Sequence, residues 1–497
     1  MSGPFDLSVF SRRLLALASL ALLTACAPDA MAPRTGARES TVPSRSSAKV
    51  STPSTFSTSG RYLVGFGGQG MPADFTDHVT SLGGSVLFVH AASGFAIVDG
   101  LSAAGAAALA RAGGVADVEG DVTTSVAPAD GPHLAAMGDP GIASIADPTT
   151  AILFGWQWNM RDIGADRAWA AGDLGSSDVT VAILDTGIDY DAFDLNGLVD
   201  LSRSVSFSAS DDALVAQYYP TRNPVTDLNG HGTNVATQVS SKAFAFAGVT
   251  SRTTLMAVKV LGADGSGTVG DILRGLLWAA DHGANVANMS LGAAFAKSSA
   301  GGGQLVGLMN RVVTYAESRG VLIVASAGNE ATDLDHDGNA YEAFCSAPQV
   351  MCVAAVGPAS PTGSPDVPAY YTNFGRSSIT VAAPGGNRGG NAIWPWGSGA
   401  WSWVWSLCSK DLTFFDADGS ITGRPCASGG VVLGFAGTSQ AAPHVAGLAA
   451  LLMAQYPGRS AAWIKSRIAA SADDLGQPGT DPFYGRGRID VAAALGF

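Results

Sequence analysis

Basic residues are scarce in this 497-residue chain: 28 Lys and Arg stand against 41 Asp and Glu, giving a net charge of −13. A nucleic-acid partner needs a basic face for its phosphates, so this balance argues against that class of function. The acidity itself speaks for solubility and nothing sharper. Long apolar runs are missing as well. Beyond the N-terminal thirty residues or so, none reaches membrane-spanning length, and the body of the chain reads as water-soluble. Cysteine is sparse, at five. What abounds is Ala, Gly and other small residues, in a chain about three times an average domain and long enough to bury a large core.

At the N-terminus Arg12 and Arg13 precede the short apolar run LLALASLALL, which meets LTAC at residues 23–26. The run is too short to span a bilayer and reads as a targeting segment, residues 1–25. Leu-Thr-Ala-Cys resembles the lipobox of bacterial lipoprotein signal peptides, and the resemblance makes Cys26 the lipidated residue. An ordinary secretory signal ending near a cysteine is the alternative, and SRRLL leaves twin-arginine export open. Setting Cys26 aside leaves four cysteines in an exported chain, an even number that invites two bridges. Pairing Cys345 with Cys352 and Cys408 with Cys426 closes the shortest loops. Four free thiols are the competing reading.

Residues 26–60, rich in Ser, Thr, Pro and Ala, form a tether with little to bury. From Arg61 the texture changes to strand, helix, strand, strand, helix, strand, a ferredoxin-like α+β order ending near Val126. Residues 127–155 return to loop composition. The region 156–497 then alternates apolar runs such as VTVAILDTG, TLMAVKVL and VLIVASAGN with helical periods such as Val269, Ile272, Leu273, Leu276 and Leu277. Continuous apolar strands between amphipathic helices predict a doubly wound, mostly parallel α/β sheet covered on both faces. Sites in such sheets lie at strand C-terminal ends.

Near the end of the chain, GFAGTSQAAPHVAGLAALL places Ser439 at the start of a long apolar helix, where Thr438 or Ser439 could serve merely as an N-cap. A catalytic serine needs a base and an oxyanion donor. Asp185 closes the apolar run VTVAILDTGID, where a carboxylate is costly without a partner. His231, between two glycines in DLNGHGTNVATQV, opens the next helix. The order Asp185, His231, Ser439 is one of the known orders of a serine catalytic triad.

DTGID, HGTNVA and GTSQAAPHVAG, with LMAVKVLGADGSG, NMSLG, VASAGN, YTNFG, VAAPG and YGRGRIDVAAAL, resemble the subtilisin-like (subtilase) serine peptidases over roughly residues 156–497. The resemblance implies Ser439 as nucleophile, His231 as general base and then acid, Asp185 as orienting carboxylate, and Asn329 of SAGN as side-chain oxyanion donor. It implies that Ser290, Leu291 and Gly292, with Ser326, Ala327 and Gly328, flank the bound peptide. Their small side chains favour an endopeptidase of broad preference. It also makes residues 61–126 an inhibitory propeptide, with self-cleavage between about 127 and 155, so that the exported precursor is lipid-anchored and the mature enzyme is released. The chain departs from the family at Asn234, Thr237 and Gln440. Asn234 is assigned to packing or a hydrogen bond, and His444 to the helix core.

No cofactor is required for this chemistry. Asp333, Asp335, Asp337 and Asn339 resemble half of a calcium loop, but Phe344 stands where an EF-hand needs Glu, and a solvated acidic loop is the other reading. A family calcium site would use Asp194. The insert 385–432 carries five tryptophans in IWPWGSGAWSWVWS, and the alternation of Trp401, Trp403 and Trp405 suggests a strand packing one face, against a substrate- or membrane-gripping patch. Two other functions compete with the peptidase: an inactive protease fold kept for binding, and an acyl transferase or cyclase.

Overall fold

The computed structural model describes residues 60–497 apart from 68–69, 127, 138–143, 145, 293, 297–301, 337–338 and 388–400. The signal segment, Cys26, most of the tether, Asp337, Trp394 and Trp396 lie outside the described residues.

Runs of Val, Ile, Leu and Ala without alternation become the interior strands of a seven-stranded parallel sheet, because both faces are covered. Its order across the sheet is Val381–Pro384, Met351–Val356, Leu322–Ser326, Val286–Met289, Thr180–Asp185, Thr254–Lys259 and Val205–Ser206. Along Thr180–Asp185 the side chains alternate between two cores. Val181 and Ile183 pack with the helices His231–Val239 and Thr438–Gln455, whereas Ala182 and Leu184 pack with Val269–Asp281 and Gly302–Ser318. The predicted doubly wound α/β architecture is thus present. Among the described residues no helix is long and apolar enough to cross a membrane.

Residues 62–120 form a second, antiparallel sheet, ordered Ser85–His90, Phe95–Asp99, Tyr62–Phe66, Val115–Gly120, with two helices on one face. Its other face, through Leu63, Phe95 and Ile97, shares a core with Leu308, Val312 and their neighbours on the two helices of the large sheet. Polar contacts seal the seam. Arg61 bridges Asp121 at 2.8 Å and Asp271 at 2.6 Å, and Asp121 Oδ1 accepts the Gly270 N–H at the N-terminus of helix Val269–Asp281. Burial is the largest influence on Asp121 and lifts its pKa to about 6, against the pull of Arg61.

The expected loop 127–155 departs from its composition. Asp130–Ala136 is a strand, antiparallel to Val431–Ala436, which pairs on its other side with Val404–Leu407. DGPHLAA has little intrinsic strand preference, and the open edge of Val431–Ala436 supplies the ladder that its own residues do not favour. Trp403 and Trp405 are buried, and Trp405 meets Trp156 edge-on at 5.3 Å, but the strand is Val404–Leu407 and so leaves out Trp401 and Trp403, which the alternation had placed in it. Both expected disulfides are formed, Cys345–Cys352 and Cys408–Cys426.

Candidate active site

Asp185 ends its strand fully buried, and His231 is the first residue of the helix His231–Val239. His231 Nδ1 and Asp185 Oδ1 are 2.7 Å apart, and the Thr186 N–H donates to the same oxygen at 2.7 Å. The bond to the carboxylate assigns the proton to Nδ1 and leaves Nε2 as the basic nitrogen. The flanking glycines are needed sterically: any side chain on Gly232 would collide with the Gly187 carbonyl, and Gly230 has φ +97°.

Asp227, which sequence reasoning passed over, sets this helix. Its carboxylate accepts the N–H groups of Asn229 (3.0 Å), Gly230 (2.8 Å) and Thr233 (2.8 Å) and the hydroxyls of Thr186 and Thr233. An aspartate four residues before the histidine was the legible signal, a capping carboxylate at a helix start. Burial acts to lower the His231 pKa, but Asp185 and then Asp227 outweigh it, and the net shift is upward. A raised pKa keeps the ring protonated, and unable to act as a base, to higher pH. Activity is therefore expected to rise with pH through a midpoint above the ordinary histidine value of about 6.5. A pH profile of kcat/KM that stayed flat down to pH 4 would contradict this.

Ser439 is the second residue of helix Thr438–Gln455, whose N-cap is Gly437, so neither Thr438 nor Ser439 serves as the cap. The Ser439 hydroxyl donates to the Ser290 carbonyl at 3.1 Å, and Ser290 Oγ donates to the Ser439 carbonyl at 2.6 Å. His231 Nε2 is buried without a hydrogen-bond partner among the described residues. Asn329 faces the same turn. Its Oδ1 accepts both the N–H and the hydroxyl of Thr438 at 2.9 Å, and because an N–H can only donate, this fixes the other end of the amide as Nδ2, the donor. A methyl group placed on Gly437 would lie 3.5 Å from that nitrogen. Asn373, in the YTNFG motif, braces this loop through Ala327 O, Glu330 Oε2 and the N–H groups of Glu330 and Thr332.

Ser290–Gly292 and Ser326–Gly328 leave the ends of adjacent parallel strands and bracket the serine turn, Gly328 N donating to Thr438 Oγ1 at 3.1 Å. The chain itself crosses this cleft. Thr123–Ser125 pairs antiparallel with Ser266–Thr268, Val126 N donates to Gly265 O at 2.9 Å, and Thr124 Oγ1 bonds Gly292 O. Beyond the serine turn, Asp130–Ala136 follows the strand that leads into Gly437, and His133 stacks on Trp403. That covering accords with the low exposure of Ser439, 5%, and of His231, 1%. Asn234 bonds the Val404 carbonyl and Ser406 Oγ, both at 3.1 Å, fulfilling its packing assignment. His444 is a core residue: it bonds Gln440 O and Asn159, and burial pushes its pKa down to about 4.

Of the acidic loop, Asp333, Asp335 and Asn339 are among the described residues and Asp337 is not. Asp335 accepts two N–H groups and a hydroxyl from Ser377 and Ser378, whereas Asp333 pairs with His336 at 2.9 Å and Asn339 is exposed. Among the described residues no group of three or more His, Cys, Asp or Glu is placed to hold a metal. Asp194 is fully buried and holds the N–H groups of Phe244 (2.8 Å), Ala245 (2.9 Å) and Phe246 (3.2 Å). A melting temperature that a calcium chelator leaves unchanged would remove both calcium readings, at the acidic loop and at Asp194.

A parallel α/β sheet that carries Asp, His and Ser at its C-terminal edge, with an asparagine amide beside the serine turn, defines a hydrolase of the serine-peptidase class. Residues 176–487 match the Peptidase S8 family, and the chain belongs to this subtilase family of serine peptidases. It is 32% identical over 342 residues to a thermophilic serine proteinase of Bacillus sp. (strain AK1), covering 68% of this chain and 67% of that protein. To the alkaline elastase YaB of Bacillus sp. (strain YaB) it is 31% identical over 359 residues, 72% of this chain and 75% of that one. Among solved structures, the epidermin leader peptide processing serine protease of Staphylococcus aureus aligns with a TM-score of 0.67, covering 88% of this chain and 98% of that chain; at 20% identity the likeness is one of fold.

Proposed function

We propose that the chain is an exported serine endopeptidase that hydrolyses peptide bonds through an acyl-enzyme on Ser439. The observation that carries the reading is the buried 2.7 Å contact between Asp185 and His231, with Nε2 left without a hydrogen-bond partner among the described residues. Ser439 Oγ exchanges the Ser290 carbonyl for His231 Nε2, which takes its proton as Oγ attacks the substrate carbonyl. Hydrogen bonds of this kind often tighten only when substrate binds. The developing oxyanion is held by Asn329 Nδ2 and a backbone N–H at the start of the serine helix. His231 then protonates the leaving amine, and water repeats the sequence on the acyl-enzyme.

Residues 61–126 act in this proposal as an intramolecular inhibitor, and self-cleavage between about 127 and 155 removes them together with a lipid anchor on Cys26. Support comes from the shared core between the two sheets and from the chain lying across the cleft. The test is incubation of the purified protein with unfolded casein, with and without an active-site serine reagent. Cleavage blocked by the reagent is expected. No cleavage after removal of residues 61–126 would favour a binding protein instead.

A further inference from the structure

Besides its tryptophans, the insert 385–432 carries Ser409, Asp411 and Thr413 in alternation, all of them buried. Each holds one of the consecutive residues Thr226, Asp227 and Leu228, which lead into the helix of His231. Ser409 Oγ donates to the Asp227 carbonyl at 2.6 Å. Asp411 Oδ2 accepts the Thr226 hydroxyl at 2.7 Å, and the Thr413 N–H donates to the Leu228 carbonyl at 3.0 Å.

A charge network ties the same segment to the loop that follows Asp185. Arg222 donates through Nε to Asp411 at 2.6 Å and through Nη2 to Asp189 at 2.8 Å, while Nη1 pairs with Asp191. Asp189 is fully buried, where a carboxylate needs a full set of donors. The Lys410 N–H supplies one to its second oxygen at 2.9 Å. The Asp189 N–H in turn donates to Thr233 Oγ1 at 3.0 Å, inside the helix His231–Val239. Leu412 packs with Leu433, Phe435 and the bridged Cys408 and Cys426 in one buried cluster, and Phe435 meets the His231 ring edge-on at 5.8 Å. Residues 409–413 thus reach the start of this helix through Asp227, through Asp189 and through an apolar cluster.

We infer that Ser409–Thr413 is a clamp that positions the general base, with Asp411 as its central positioning residue. This rests on the peptidase reading above and adds to it the residues that keep His231 in register with Ser439. Asp411 acts through Thr226 and Arg222, not on the reacting atoms. Its hold matters because Asp227, between the two clamped neighbours Thr226 and Leu228, is the carboxylate that gathers the N–H groups at the start of the His231 helix. Once the backbone of 226–228 is free to shift, the helix start and its imidazole shift with it. Proton transfer from Ser439 Oγ to Nε2 is sensitive to that displacement, since a misplacement of about 1 Å can cost about a hundredfold in rate. The segments assigned to the bound peptide, Ser290–Gly292 and Ser326–Gly328, leave other strands, so loss of the clamp falls on kcat and little on KM.

The experiment measures kcat for a peptide substrate per active site, counted by fluorophosphonate labelling of Ser439, with the protein freed of residues 61–126 by its own processing. Asp411→Ala is expected to lower kcat per labelled site about tenfold to a hundredfold with KM held within about threefold. Asp411→Asn, which keeps an oxygen for the Thr226 hydroxyl, should lose less. Ser409→Ala removes a single hydroxyl, should lower kcat about threefold to tenfold, and keeps the inference testable if Asp411→Ala fails to fold. Asp366→Ala is the control for stability loss alone: it opens a 2.9 Å ion pair with Arg488 and should leave kcat per labelled site unchanged. A merely structural clamp would lower the melting temperature and the number of labelled sites, while each remaining site turned over at the wild-type rate. That result in Ser409→Ala and Asp411→Asn overturns the inference, as does an equal loss of kcat in Asp366→Ala. A wild type that neither labels nor cleaves is a different failure, which removes the peptidase reading and this inference with it.

Discussion

Ser439→Ala is expected to lower peptide-bond cleavage by roughly a millionfold, a scale carried over from the corresponding change in a subtilisin rather than calculated for this chain. The physical reason is local. Ser439 occupies the second position of its helix, and the neighbouring hydroxyl of Thr438 is committed to Asn329 Oδ1 at 2.9 Å. Without Oγ the base has nothing to deprotonate. Because the same serine is proposed to release the enzyme from its precursor, the substitution has a second readout in cells. The variant should stay full-length and remain with the membrane through acyl chains on Cys26, each buried CH₂ contributing about 0.8 kcal/mol. The wild-type catalytic region should be processed and soluble. Fractionation with an antibody to that region separates the two, and processed wild-type protein that still pellets with membranes would refute release by maturation. Casein cleavage at the wild-type rate by the variant would end the assignment of the nucleophile.

Asn329→Ala is expected to reduce kcat about a hundredfold to a thousandfold with little change in KM, again a magnitude known from a subtilisin. An amide that donates to the oxyanion strengthens its bond only as charge develops, so its loss falls on the transition state and not on substrate binding. The hydrogen bonds from Thr438 fix which end of the amide faces the turn, and the variant also removes that acceptor. Thermal unfolding of the variant beside its kinetics distinguishes the two effects. A kcat within a few-fold of wild type in a folded protein would exclude Asn329 as the donor.

Much of this protein was legible in the sequence because its signals are local or strongly periodic. Uninterrupted apolar runs mark strands buried on both faces, and helical spacing marks the covering layers, so the doubly wound sheet and the small antiparallel unit follow without knowledge of any contact. Asp185 at a strand end and His231 and Ser439 at helix starts stood out because each breaks a local pattern where chemistry needs it. The four cysteines also paired as loop length suggested.

The tertiary structure decided what no window of sequence contains. Asp130–Ala136 is a strand only because Val431–Ala436, three hundred residues away, offers it an open edge. Asp227 matters to His231 because a helix start folds its N–H groups around that carboxylate. Asp194 holds three N–H groups of a distant turn, and Asp333 and Asp335 turn to different partners. Sequence marks the elements whose own residues favour them, because propensity and periodicity act between near neighbours. Which charges meet is settled by burial and by long-range pairing, whose energies depend on groups brought together only when the sheet is assembled.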